Sequence, residues 1–164
     1  MFNETVKPAP SVTFVAQLTV EVGNPLELGE DFRGQRRFIP ITGGTVKGEH
    51  LNGVVLPGGG DWQSIRSDGV AELHARYFLE TDCGARIEVE NTGFGHGPKE
   101  VMERIQRGEP VASDEHYFCT MPRFSTTSSH YSWMARTVFI GDAGVVADQV
   151  VINLFAVNQG LSKT

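Results

Sequence analysis

Between Ser11 and Val22 the chain alternates. Val12, Phe14, Ala16, Leu18, Val20 and Val22 share one parity; Ser11, Thr13, Gln17, Thr19 and Glu21 share the other with Val15. Period two held over twelve residues selects a β-strand with one buried face and rules out an amphipathic helix. So long a strand needs hydrogen-bonding neighbours, and the rest of the chain offers them.

Gly23-Asn24-Pro25 ends this strand, and Leu26 to Gly34 reads as a charged connection. Arg37 to Thr42 resumes as a strand, with Pro40 suggesting an edge or a bulge. Short strands follow at Gly44–Lys47, Leu51–Leu56 and Gln63–Ile65. Ser67-Asp68-Gly69 supplies a tight hairpin turn. Ala71, Leu73, Ala75, Tyr77 and Leu79 then alternate with Glu72, His74, Arg76, Phe78 and Glu80. Thr81 to Gly84 is a turn and Ala85 to Asn91 another strand, so this part is an antiparallel meander.

Pro98 to Arg107 is the one helical segment. Proline suits its first turn, Glu100 its N-terminal end, Arg107 its C-terminal end and Gly108 the cap. Its stripe of Val101, Met102 and Ile105 suits a plug over one end of a barrel. His116 to Pro122 reads as a strand, and Phe124 to Tyr131 as a Ser/Thr-rich connection. Trp133 to Gly141 reads as a strand, Asp142-Ala143-Gly144 as a turn, and Val145 to Val157 as a final strand or pair. The fold expected is mainly β: a single antiparallel β-barrel, calycin-like or allene-oxide-cyclase-like, with one short helix. Residues 1–10 form a loose arm and residues 11–164 the barrel domain.

Composition narrows the function. A net charge of -6 argues against a nucleic-acid partner, although Arg33, Arg36 and Arg37 cluster locally. No apolar run is long enough for a helical membrane span, and the N-terminus lacks the succession of a signal peptide. Cys83 and Cys119 are too few for a disulfide framework and fit a reducing compartment. The expectation is a cytoplasmic protein without membrane or nucleic-acid partners.

The chain is organised around Arg36 to Tyr77. Glycines 43, 44, 48 and 53 mark bends, and Gly58-Gly59-Gly60 make a turn followed at once by Asp61-Trp62. That run is no phosphate loop: no Gly-Lys-Ser/Thr follows it and no helix opens there. His50, His74, His96, His116 and His130 show no HxH or HExxH spacing, so no metal is expected. No cofactor fingerprint occurs either.

Several of these residues resemble a known family. They are Arg37, Pro40, Gly43-Gly44, Gly48, Gly53, Leu56 to Trp62, Asp68-Gly69 and Ala75-Arg76-Tyr77. Downstream, Tyr117-Phe118, Pro122-Arg123-Phe124, Tyr131-Ser132-Trp133 and Val138 to Gly141 match as well. Together they resemble the bacterial and fungal domain of unknown function 3237 family over nearly the whole chain. The resemblance implies a small β-barrel and no particular activity. Gly60 departs from it, standing where many relatives carry alanine.

The candidate catalytic residues are Asp61, Arg76 and Tyr77. Asp61 would move a proton, Arg76 would hold an anionic group beside it, and Tyr77 would donate to a carbonyl or enolate oxygen. The alternative is a structural Asp61–Arg76 pair with Tyr77 in the core. Arg76 and Tyr77 are adjacent, so both line one cavity only if a bulge intervenes. Glu72, His74 and Arg76 either coat the outside or line a polar lumen. Arg37, Trp62, Tyr131 and Trp133 are the candidate ligand-binding residues, as pocket walls or as core. A small organic ligand is the expected partner. The readings are a cofactor-independent isomerase, cyclase, lyase or hydratase acting on a small carbonyl or carboxylate compound, a non-catalytic binding barrel, or a homo-oligomeric structural subunit.

Overall fold

The computed structural model describes residues 8–159. The loose arm expected at residues 1–10 therefore lies mostly outside the described residues. Ten antiparallel strands form one sheet. They are β1 (Ser11–Val22), β2 (Leu26–Asp31), β3 (Gly34–Gly48), β4 (Gly53–Val55), β5 (Gly60–Ile65), β6 (Ala71–Thr81), β7 (Arg86–His96), β8 (Tyr117–Thr126), β9 (Phe139–Val146) and β10 (Gln149–Asn158). The path runs β1-β10-β9-β8-β7-β6, then to β3 through both β4 and β5. Pairing of β1 with β3 closes it into a barrel.

Two of the barrel's walls are built from interrupted strands. β4 and β5 lie end to end between β3 and β6, separated by the turn Leu56 to Gly59. β1 and β2 lie end to end along the opposite edge of β3. β3 can serve four partners because it bends at Gly43-Gly44. Gly44 has φ +143°, and a Cβ there would collide with the Thr19 carbonyl. The turn before β5 is as tight: a Cβ on Gly59 would meet the backbone of Arg76 and Tyr77.

Three expectations are corrected. The alternation of β1 breaks at a bulge between Phe14 and Ala16. The extra residue, Val15, turns inward, and parity flips beyond it. Val12 and Phe14, expected in the core, are 54% and 52% exposed. Second, Leu26 to Asp31 is a strand rather than a connection, held by the edge of β3 with all six residues exposed. Third, Ser132 to Arg136 is a 3-10 turn and β9 begins only at Phe139. The chain reverses after Val146, where Ala147 takes φ +56°, and not at Asp142-Ala143-Gly144.

The expected helix is present as α1 (Lys99–Gln106). It ends in a Schellman arrangement, with Gly108 N–H donating to the Ile105 carbonyl and Glu109 N–H to that of Arg104. Arg104 bonds Glu115 at 2.8 Å, which ties the helix to the chain entering β8.

The barrel is filled in one half only. Leu18, Leu79, Ile87, Phe124, Phe139 and Leu154 pack one end, with Phe124 and Phe139 edge to face at 4.9 Å. The other half encloses a cavity of about 720 Å³, against which α1 lays Met102 and Ile105.

Candidate functional site

Strand parity decides which side chains reach the cavity. On β6, Leu73, Ala75 and Tyr77 point inward, so Arg76 points out. The register of β6 against β7 is unbroken, so no bulge brings Arg76 and Tyr77 to one face. Asp61 stands opposite Ala75, while Arg76 stands opposite Gly60. The expected Asp61–Arg76 pair is therefore not formed. Arg76 is exposed and bonds Glu88 at 2.8 Å. His74 bonds Glu90 at 3.1 Å on the same outer face, so the Glu72, His74, Arg76 row coats the outside.

Asp61 does enter the cavity, from the start of β5 after the glycine run. One carboxyl oxygen, Oδ1, accepts the His74 backbone N–H at 2.8 Å. Burial raises its pKa from 3.8 to about 6, against the opposing effects of that hydrogen bond and of the charges of His74 and Arg37. At neutral pH the group thus stands within reach of both protonation states.

Register places the other polar groups around it. Ile39, Asp61, Ala75 and Asn91 form one inward row across four strands. Strands lie about 4.8 Å apart, so Asp61 and Asn91 flank Ala75 with Cα atoms about 10 Å apart. The alanine leaves the space between them open. Arg37 faces Gln63 one step along β3 and β5. Tyr77 and Thr120 complete the polar set, and His116 enters from the start of β8.

Most of these groups lack protein partners. Tyr77 Oη, Asn91 Oδ1, Thr120 Oγ1, Arg37 Nε and both His116 ring nitrogens are buried without a hydrogen bond among the described residues. A buried polar atom left unpaired costs about 1–3 kcal/mol, so this cluster leaves several groups on one cavity open to hydrogen bonding by water or by a guest. Burial pushes the Tyr77 phenol up, so it stays a neutral donor. The walls between these groups are apolar: Val20, Ile41, Leu73, Phe118 and Ile152. That mixture is the ordinary make-up of a small-molecule site. Among the described residues, no three His, Cys, Asp or Glu side chains gather closely enough to hold a metal ion.

Of the residues expected from sequence, Arg37, Asp61 and Tyr77 thus line the cavity, and four do not. Arg76 is outside. Trp62 follows Asp61 and so faces outward, 43% exposed, against Phe38 at 4.9 Å. Tyr131 is buried in the core of the filled half, near Thr81 and Cys83. Trp133 packs on Phe139 at 5.8 Å from the 3-10 turn. Asn91, Thr120 and Gln63 were missed. Their signal was present: Asn91 shares parity with Ile87 and Val89, and Thr120 with Phe118 and Phe124, polar residues in apolar rows.

The family model described as "Protein of unknown function (DUF3237)" matches residues 10–157. The chain belongs to the DUF3237 family. The resemblance read from the glycine run and its neighbours is thereby confirmed. A UPF0311 protein from Rhodopseudomonas palustris is 44% identical over 150 residues, covering 92% of this chain and 98% of its own. A crystal structure of a conserved protein from that organism superposes with TM-score 0.87 at 43% identity, covering 93% of this chain and 99% of its own. A beta-barrel like protein from Acinetobacter baumannii gives 0.82 at 35% identity, covering 94% and 100%. An enzyme from Penicillium herquei gives 0.69 at 16% identity, covering 96% and 100%, a likeness of fold alone. No helix among the described residues of this DUF3237 barrel is long and apolar enough to cross a membrane.

Proposed function

We propose that the barrel holds a small, mainly apolar carbonyl or carboxylate compound and moves a proton on it without a cofactor, as an isomerase, cyclase, lyase or hydratase does. One observation carries the reading. Asp61 is a buried carboxyl with a pKa of about 6, on a cavity where other polar groups have no protein partner. Perturbed carboxylates in such places are candidates for general acid–base work.

The chemistry balances with the side chains present. Asp61 as carboxylate takes a proton from carbon beside a carbonyl. The C–H electron pair moves into the enolate, whose oxygen accepts hydrogen bonds from the Tyr77 and Thr120 hydroxyls. Asp61, now a carboxylic acid, returns the proton to a different carbon or to a departing oxygen. Arg37 and Asn91 orient the substrate, and Ala75 gives its reacting carbon room. The reaction belongs to the cytoplasm, where Cys83 and Cys119 stay reduced.

The test is proton exchange. Carbonyl compounds with apolar bodies are incubated with the protein in deuterated buffer and weighed by mass spectrometry. The expected result is deuterium at carbon above the buffer rate. It is lost in Asp61→Asn and kept in Arg76→Ala, whose side chain lies outside the barrel. Binding with no exchange in any compound would favour a carrier over an enzyme.

A further inference from the structure

Arg37 is buried more deeply than its cross-strand pairing with Glu27 explains. It comes from the inward face of β3 and is largely buried, and among the described residues its Nε has no hydrogen-bond partner. Among the described residues its Nη2 reaches only Glu27 of β2, at 3.3 Å, and that glutamate is 59% exposed. An exposed partner at that distance satisfies a buried guanidinium poorly. The other arginine on the cavity, Arg107, lies at the mouth and is paired with Glu109 at 3.1 Å. Arg37 is therefore the cation that an incoming anion meets inside.

Register fixes its relation to the acid. Arg37 is opposite Gln63 and Ile39 is opposite Asp61, so Arg37 and Asp61 are diagonal neighbours on one face. Such neighbours have Cα atoms about 7–8 Å apart. A molecule spanning them places one group on the guanidinium and a carbon a few bonds away at the carboxyl.

We propose that Arg37 anchors a carboxylate of the substrate, which is an oxo acid with an apolar body, and that Glu27 is the competitor this carboxylate displaces. A guanidinium fork matches a carboxylate with two parallel hydrogen bonds, and a buried fork gains most from it. The oxo group then lies toward Tyr77 and Thr120 and the adjacent carbon toward Asp61. The anchor itself needs only the Arg37 geometry; the fate of that carbon rests on the acid–base reading of Asp61.

The experiment is calorimetric titration of the whole protein with phenylpyruvate and 4-oxo-4-phenylbutanoate, each beside its methyl ester. At least one acid is expected to bind about 10- to 100-fold more tightly than its own ester, the worth of a charge-assisted hydrogen bond. Arg37→Met should erase that preference, with circular dichroism confirming the fold. Glu27→Gln should tighten acid binding, by about two- to five-fold, because an exposed competitor is removed. A merely structural Arg37–Glu27 pair would make both variants act in the same direction. That outcome, esters binding as well as acids, or no acid binding at all, would overturn the proposal. Acids that bind through Arg37 yet show no Asp61-dependent deuterium exchange would leave the anchor standing and remove the proton-transfer reading. Exchange that is as fast on the esters would do the reverse.

Discussion

Asp61→Asn should make the protein more stable, and only above acid pH. The carboxyl is raised from 3.8 to about 6, chiefly by burial. The folded state thus holds the charge less well than water does, by about 3 kcal/mol. A folded pKa above the unfolded one means stability is greatest below 3.8. It declines as pH rises from there to about 6, and is flat beyond. Asparagine keeps a carbonyl for the His74 N–H and carries no charge. The substitution should therefore gain about 2–3 kcal/mol at pH 8 and well under 1 kcal/mol at pH 4. For a chain of this size that is roughly 4–12 °C in melting temperature at pH 8 and about 1–2 °C at pH 4. Thermal melts of both proteins at pH 4, 6 and 8 measure it, with urea unfolding as a second probe. A gain of that size would show a carboxyl held at a cost to the fold, as the proposed acid–base role requires. A loss of stability in the variant at pH 8, or a difference constant across the range, would refute the reasoning and make Asp61 a structural acid.

Tyr77→Phe removes a buried hydroxyl with no protein partner, so the melting temperature should hold or rise by a few degrees while ligand affinity falls about ten-fold in titration. Leu79→Ala in the filled half should cost about 2–5 kcal/mol in denaturant unfolding, whereas Leu73→Ala on the cavity wall should cost well under half of that. If Asp61 is the base, exchange at substrate carbon should rise as pH passes about 6 and level off above 7, and a pH–rate profile flat across that window would exclude it.

What could be read from sequence followed the strength of local signals. α1 was legible because Pro98 and Gly108 bracket it and its cap geometry is local. The meander from Gln63 to Asn91 was legible from parity and its turn residues. β2 was not, because Leu26 to Asp31 buries neither face and leaves no periodic trace. The bulge at Val15 was hidden for a different reason: one inserted residue reverses every side chain beyond it while composition stays the same. In the site, the glycine run pointed to Asp61, which lines the cavity. The partner was misplaced by one residue, since Ala75 rather than Arg76 stands opposite, and on a strand one residue is the whole thickness of the sheet. Asn91 and Thr120 escaped notice because a polar residue in an apolar row reads as an end of the strand until the far side of the barrel is known.

The half-packed barrel amounts to a division of labour along a single set of strands. β6 supplies Leu79 to the solid end and Tyr77 to the hollow one, and β7 supplies Ile87 to the first and Asn91 to the second. The hydrogen-bonded wall runs through both, so the solid end holds the wall's shape while the hollow end carries little of the weight. Inward positions such as Ala75, Leu73 and Gly95 can then exchange size and polarity as independent tumblers in one lock, each reshaping the hollow without loosening the frame.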